Sequence, residues 1–241
     1  AITPKTKAFI FSTPCNPSGS VYTKEELASL VEVFKKYPRI IVLSDEIYEF
    51  IQYEQKHESM GQFTELKDRL VIINGVAKGY AMTGWRIGYI AAPKAIVSAC
   101  NKIQGQYTSG ICTIAQAASL EAVKMSPENS EEIQDMLKAF RNRRDMFFEL
   151  LSEIPGIKLS KPAGAFYMFP EIKSYFGKTD GETTINNSDD LCLYLLNKAH
   201  VACVAGTAFG NGECIRLSYA TSEDKLREAA ARIKKALSEL K

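Results

Sequence analysis

The sequence predicts an α/β fold: a mostly parallel sheet within residues 1–134, followed by a smaller α+β domain over 135–241. Three observations carry this. Short apolar runs without polar alternation stand at Ala8–Ser12, Ile40–Leu43 and Leu70–Ile73, as expected of strands buried on both faces. Segments with helical patterning join them, the arrangement of a parallel sheet. Beyond Pro155-Gly156 that order ends, and short strands mix with helices.

Ala8–Ser12 is read as a buried strand ending in the tight loop Thr13-Pro14-Cys15-Asn16-Pro17-Ser18-Gly19. Thr23-Lys24-Glu25-Glu26 has the form of a capping box, so a helix opens there. It carries Leu27, Leu30, Val31 and Phe34 on one face and stops near Pro38. The second strand ends at Ser44-Asp45-Glu46, and the third at Asn74-Gly75-Val76-Ala77-Lys78. Gln52–Asp68 is polar and irregular. A further strand is predicted over Arg86–Ala92, then helices over 94–104 and 112–124. Ser126-Pro127-Glu128 marks the start of a long helix reaching Ile154, with Ile133, Met136, Phe140, Phe147 and Leu151 on its apolar stripe. The domain boundary is placed inside this helix. Short strands are expected at 164–169, 201–204 and 214–220, and helices after Ser188 and Ser222.

The 241 residues suffice for one large domain or two small ones, at roughly 100–200 residues per domain. Thirty Lys+Arg against 28 Asp+Glu leave a net charge of +2, which excludes the strongly basic footprint of a nucleic-acid-binding domain. The longest uncharged stretch, Ile103 to Leu120, contains Gln104, Gln106, Thr108 and Ser109 and is too polar to span a bilayer. The cysteines at 15, 100, 112, 192, 203 and 214 form no C-x-x-C pair. They are read as small buried hydrophobes in a reducing compartment, the cytoplasm. His57 and His200 are too few for a zinc site of several imidazoles, and no metal is expected. The chain opens without an initiator Met or a signal-peptide pattern, directly before a core strand.

In open α/β sheets, ligands bind outside the carboxyl ends of the strands. The three first strands lead to Asn16, Asp45 and Lys78, so parallel strands would point an amide, an acid and an amine into one crevice. Each alone has a plainer reading: a turn residue, a helix cap, a solvated lysine. Glu46 is the alternative acid, but continued strand geometry turns it to the opposite face. Arg216 stands in the apolar run Cys214-Ile215-Arg216-Leu217, where a charge is costly unless it is paired. On the residues alone it reads as one half of an internal salt bridge to an acid.

The run Gly75-Val76-Ala77-Lys78-Gly79-Tyr80-Ala81-Met82-Thr83-Gly84-Trp85-Arg86-Ile87-Gly88 resembles the pyridoxal-phosphate attachment motif of class I (fold-type I) aminotransferases. Asn16-Pro17-Ser18-Gly19, Ser44-Asp45-Glu46-Ile47-Tyr48, Gly164-Ala165-Phe166-Tyr167 and Ile215-Arg216-Leu217-Ser218-Tyr219-Ala220 agree in order, most closely with the bacterial aspartate-aminotransferase branch. The resemblance covers nearly the whole chain and implies a missing N-terminal portion, on the order of 150 residues.

The resemblance implies a pyridoxal 5'-phosphate enzyme that moves an amino group between an L-amino acid, aspartate first, and a 2-oxo acid. It implies Lys78 as the catalytic lysine bonded to the cofactor, Asp45 as partner of the ring nitrogen, Tyr48 and Asn16 at the phenolic oxygen, and Arg86 at the phosphate. Arg216, with Asn16, is implied at the substrate α-carboxylate. A homodimer and a cis Asn16–Pro17 bond are implied too. Phe166 and Tyr167 line the substrate pocket or the core. Gly75 departs from relatives with a serine three residues before the lysine. Residues 101–109 hold no arginine for a distal carboxylate, only Lys102. Two alternatives remain open: a lyase acting at Cβ or Cγ on the same fold, and an inactive C-terminal fragment.

Overall fold

The computed structural model describes residues 1–241. They divide into two compact units, Ala1–Cys15 with Ser20–Asp135, and Asn16–Gly19 with Met136–Lys241.

The first unit is built on a four-stranded sheet of β1 (Ala8–Ser12), β2 (Ile41–Asp45), β3 (Leu70–Gly75) and β4 (Gly88–Ala91), in that order. β1, β2 and β3 run parallel, and their carboxyl ends are level: Ser12 pairs with Asp45, and Asp45 with Ile73. β4 is antiparallel to β3, with Gly75 opposite Gly88, so only the first three strands follow the parallel order. β4 starts two residues later than expected, because Arg86 adopts a left-handed conformation, φ 58°, that no strand accommodates.

Helix α1 (Lys24–Lys35) opens on the predicted capping box: Glu26 N–H donates to Thr23 Oγ1 (3.2 Å) and Thr23 N–H to Glu26 Oε2 (2.8 Å). Leu27, Val31 and Phe34 pack on Val42, Met60, Leu66 and Leu70, with Phe9 and Phe11 of β1 against them. Side chains alternate along a strand, so Ile10 points the other way and is 68% exposed. The expectation of a sheet covered on both faces is met on the α1 side, while the other face is buried at Val71 of β3 and open at Ile10 of β1.

The polar stretch before β3 forms two 3-10 segments, Met60–Gln62 and Thr64–Arg69. Arg69 closes the carboxyl end of α1, donating to the carbonyls of Phe34, Tyr37 and Ile40 at 2.8–3.0 Å, where a cation also meets the negative end of the helix dipole. Helices α2 (Lys94–Tyr107) and α3 (Thr113–Lys124) follow β4. Pro127–Asn129 is a separate 3-10 turn, and α4 runs from Glu131 to Ser152. The two units meet in the sequence within α4, between Asp135 and Met136.

In the second unit β5 (Tyr167–Met168), β7 (Ile215–Ser218) and β6 (Val204–Ala205) form an antiparallel sheet in that order. The strand expected at 201–204 is thus shorter and later. Helix α5 (Ser188–Tyr194) continues into a π-helical turn over Leu195–Ala199, and α6 (Glu223–Ser238) buries Leu226, Ala230, Ile233 and Leu237. The four residues Asn16–Gly19 join this unit because Gly19 lies on its backbone. Ala163 N–H and Gly164 N–H both donate to Gly19 O at 2.9 Å. Gly19 has φ +69°, and a Cβ there would stand 2.4 Å from Pro162 Cβ.

The cysteines differ from expectation. Only Cys214 is buried; Cys100 and Cys112 are exposed, and Cys15, Cys192 and Cys203 are half-buried. No helix is long and apolar enough to cross a membrane.

Candidate active site

The end of β2 sorts its acids by side-chain alternation. Ser44 and Glu46 share one side and Asp45 takes the other. Glu46 is buried: its Oε1 accepts from Ser44 Oγ (2.9 Å) and Met60 N–H (3.0 Å), and its Oε2 lies 2.8 Å from His57 Nε2. Burial alone would push this carboxyl up, but hydrogen bonds from His57, Ser59 and Ser44 outweigh it and hold Glu46 below the usual range. Glu49 shifts the other way: burial raises it, although Asn74 donates to it. Ligating atoms of Glu46, Glu49 and His57 lie within 4.8 Å of one another. Both oxygens of Glu46 are already taken, so the group is a hydrogen-bonded brace between β2 and the 3-10 segment at Met60. The sequence gives His57 only a plain, non-functional reading, because a lone histidine in a polar stretch carries no signal of its partner.

Asp45 is half-buried. Its Oδ1 accepts from Ile47 N–H at 3.1 Å, and no cation pairs with it. Burial is the main cause that raises its affinity for a proton, the Ile47 bond opposes this, and the Glu46 charge adds to it. Tyr48, three residues on, is buried, and Lys78 Nζ lies 5.8 Å from its ring centroid. Lys78 sits in the turn after β3, closed by Ala81 N–H donating to Lys78 O at 3.2 Å. Asp45, Tyr48 and Lys78 thus belong to adjacent strand ends of the first unit. Arg86 is exposed in the same unit. It donates to Thr83 O (3.0 Å) and lines a cavity of about 720 Å³ with Trp85, Gln104, Thr108 and Ile111.

Asn16, expected with Asp45 and Lys78, belongs to the second unit, and its cis peptide bond to Pro17 is present. There Arg216 Nη1 donates to Asn16 Oδ1 at 2.9 Å. No acid of the chain pairs with Arg216, so the internal salt bridge that the sequence left open is not made. Its guanidinium lies instead between two rings, 4.7 Å from the centroid of Tyr167 and 4.8 Å from that of Phe209. Phe209 was not legible as a site residue, since it reaches Arg216 only through the turn after β6.

Fold and side chains together define an α/β protein whose strand ends carry a half-buried acid and a lysine. A family model described as aminotransferase class I and II matches residues 1–233, and the chain belongs to that family. A bifunctional aspartate aminotransferase and glutamate/aspartate-prephenate aminotransferase of Petunia hybrida is 47% identical over 242 residues, covering 100% of this chain and 50% of the relative. An aspartate aminotransferase of Pinus pinaster is 46% identical, covering 96% of this chain and 47% of its own. Among solved structures, the aspartate aminotransferase from Rhizobium meliloti matches with a TM-score of 0.93 at 39% identity, over 100% of this chain and 60% of that one. The aspartate aminotransferase from Thermus thermophilus with maleate matches with a TM-score of 0.84 at 38% identity, over 98% of this chain and 58% of that one. The chain spans about half the length of the curated relatives it matches.

Proposed function

We propose that this chain supplies the cofactor- and substrate-binding residues of a pyridoxal 5'-phosphate-dependent aminotransferase with aspartate as amino donor and a 2-oxo acid as acceptor. The observation that carries the reading is Asp45. A half-buried carboxylate without a cation is a cost to the fold, and a protonated pyridine nitrogen is the kind of partner that removes it. The donor set fits the rest of the group: an amine for the aldehyde (Lys78), hydroxyl and amide donors for the phenolic oxygen (Tyr48 and Asn16), and a guanidinium for the phosphate (Arg86). When bound, the cofactor supplies an electron sink for the charge left by breaking a substrate C–H bond.

The chain's own residues do the remainder. Lys78 would hold the cofactor covalently, and its amine, when free, would move a proton at the substrate Cα as general base and acid. Asp45 keeps the ring nitrogen protonated. Arg216 takes the substrate α-carboxylate in a planar fork, held in place by Asn16 and shielded from water by Tyr167 and Phe209.

Aspartate is supported by the names of the Petunia and Pinus relatives and by maleate, a dicarboxylate, with the Thermus enzyme. Those names also favour transamination over the lyase reading. A homodimer belongs to the same proposal, supported by the family resemblance. A cytoplasmic location is supported by six free thiols. Incubating the full chain and cofactor with aspartate and 2-oxoglutarate tests the function. Oxaloacetate and glutamate in equal amounts are expected. Release of ammonia from a cysteine conjugate, without amino transfer, would establish the lyase instead.

A further inference from the structure

Two cysteines outside the proposed site face each other. Cys203 Sγ donates to Cys192 Sγ at 3.3 Å, and both side chains are half-buried. Cys192 lies on α5, and Cys203 immediately precedes β6. Between them the chain passes through the π-helical turn and reverses at His200, which has φ 54°. That reversal brings together two thiols eleven residues apart. Their sulfurs are already in contact, 3.3 Å apart, against about 2.05 Å in a disulfide bond.

We propose that Cys192 and Cys203 are a redox pair that a peroxide converts reversibly to an intramolecular disulfide, tying α5 to the start of β6. Val204, the next residue, pairs with Arg216 on β7, so the cross-link would sit beside the strand that carries that arginine.

The chemistry has an order. The hydrogen bond from Cys203 holds Cys192 below the usual thiol range, against the effect of burial. The same bond, with burial, pushes Cys203 up. Cys192, the acceptor of that bond, is therefore the more readily deprotonated of the two and reacts first, and Cys203 is the thiol that resolves it. Cys192 sulfur attacks one peroxide oxygen, and the O–O bond breaks. Cys192 becomes a sulfenic acid, and the departing hydroxide takes a proton to leave as water. Cys203 then loses its proton, its sulfur bonds to Cys192 sulfur, and the sulfenic oxygen departs as a second water. Two thiols are oxidised by two electrons and one peroxide is reduced to two waters. A dithiol reverses the reaction by exchange.

Peptide mapping of the full chain tests this. Hydrogen peroxide is added, free thiols are alkylated, and trypsin is used without reductant. Cleavage after Lys178, Lys198 and Arg216 places Cys192 in peptide 179–198 and Cys203 in peptide 199–216. These should appear joined, two hydrogens lighter than their sum, and separate with dithiothreitol. Cys214 shares the second peptide but is buried, and Cys214→Ser should leave the joined species intact. Cys192→Ser and Cys203→Ser should each abolish it, and Cys203→Ser should leave a sulfenic acid on Cys192 that dimedone captures. Alkylation of both cysteines after treatment, with Cys100 or Cys112 oxidised instead, would overturn the proposal. So would a joined species that Cys214→Ser removes.

Discussion

Arg216 donates to Asn16 across 200 positions of sequence, from the central strand of the second unit to the turn that follows β1. The bond uses one edge of the guanidinium and orients the rest between Tyr167 and Phe209. A cation held this way, without an acid of its own, suits the α-carboxylate role proposed for it.

Arg216→Lys should therefore lower kcat/KM by about 10-fold or more, at roughly 1.4 kcal/mol per decade, because an ammonium cannot reproduce the planar fork. The loss should be similar for aspartate and alanine, which share the α-carboxylate, while cofactor affinity changes little. Steady-state kinetics with both donors checks this. A loss confined to aspartate would move Arg216 to the side-chain carboxylate.

Lys78→Ala should prevent covalent attachment of the cofactor. Lys94 and Lys102 lie on helix α2 and not in the turn that follows β3. Borohydride treatment followed by mass spectrometry should find cofactor fixed at Lys78 in the wild type and none in the variant. Stoichiometric labelling of the variant would show another lysine in the role.

Asp45→Asn should leave cofactor bound yet slow proton removal from the substrate by about 100-fold or more, the scale of a proton-transfer contribution. Asp45→Glu, which restores the charge, should recover part of the rate. Isotope exchange at the substrate Cα measures the step directly. Wild-type exchange in the Asn variant would end this assignment.

Glu46→Gln tests the brace through its pH dependence. The Glu46 carboxyl lies lower in the folded protein than in the unfolded chain. Its stabilisation is therefore fully present above the unfolded value, about 4.3, and is lost as pH falls through the folded value. At pH 7 the variant should be less stable by about 2–3 kcal/mol, since a buried network loses its charge. Urea unfolding should show the gap narrowing below about pH 4. A gap that does not change with pH would reduce the brace to packing.

Gly75→Ser adds the hydroxyl that the family resemblance would place there, but the position has no room for it. A Cβ there would meet Ile87 O at 2.8 Å and Gly88 Cα at 3.0 Å, both backbone atoms of the paired chain. The variant should lose about 1–3 kcal/mol of stability by urea unfolding, the usual cost of overpacking, with no tighter cofactor binding. Tighter binding at unchanged stability would show that β4 yields.

Short-range patterns were legible along the chain. Apolar runs placed β1, β2 and β3, the Thr23 and Glu26 pair started α1, and a helical stripe gave most of α4. The motif around Lys78 marked the family. These features rest on periodicity and on neighbours a few residues apart, which a linear reading contains. Tertiary structure decided which distant groups meet. It turned β4 against β3, gave buried Glu46 to His57, moved Asn16 into the second unit with Arg216, and set Cys192 against Cys203. Three of these depend on where the chain reverses: Gly19 on the backbone of Ala163 and Gly164, Arg86 and His200 in left-handed conformations. A reversal of that kind is set by close packing in space, so the partner it delivers has no signature in the residues on either side.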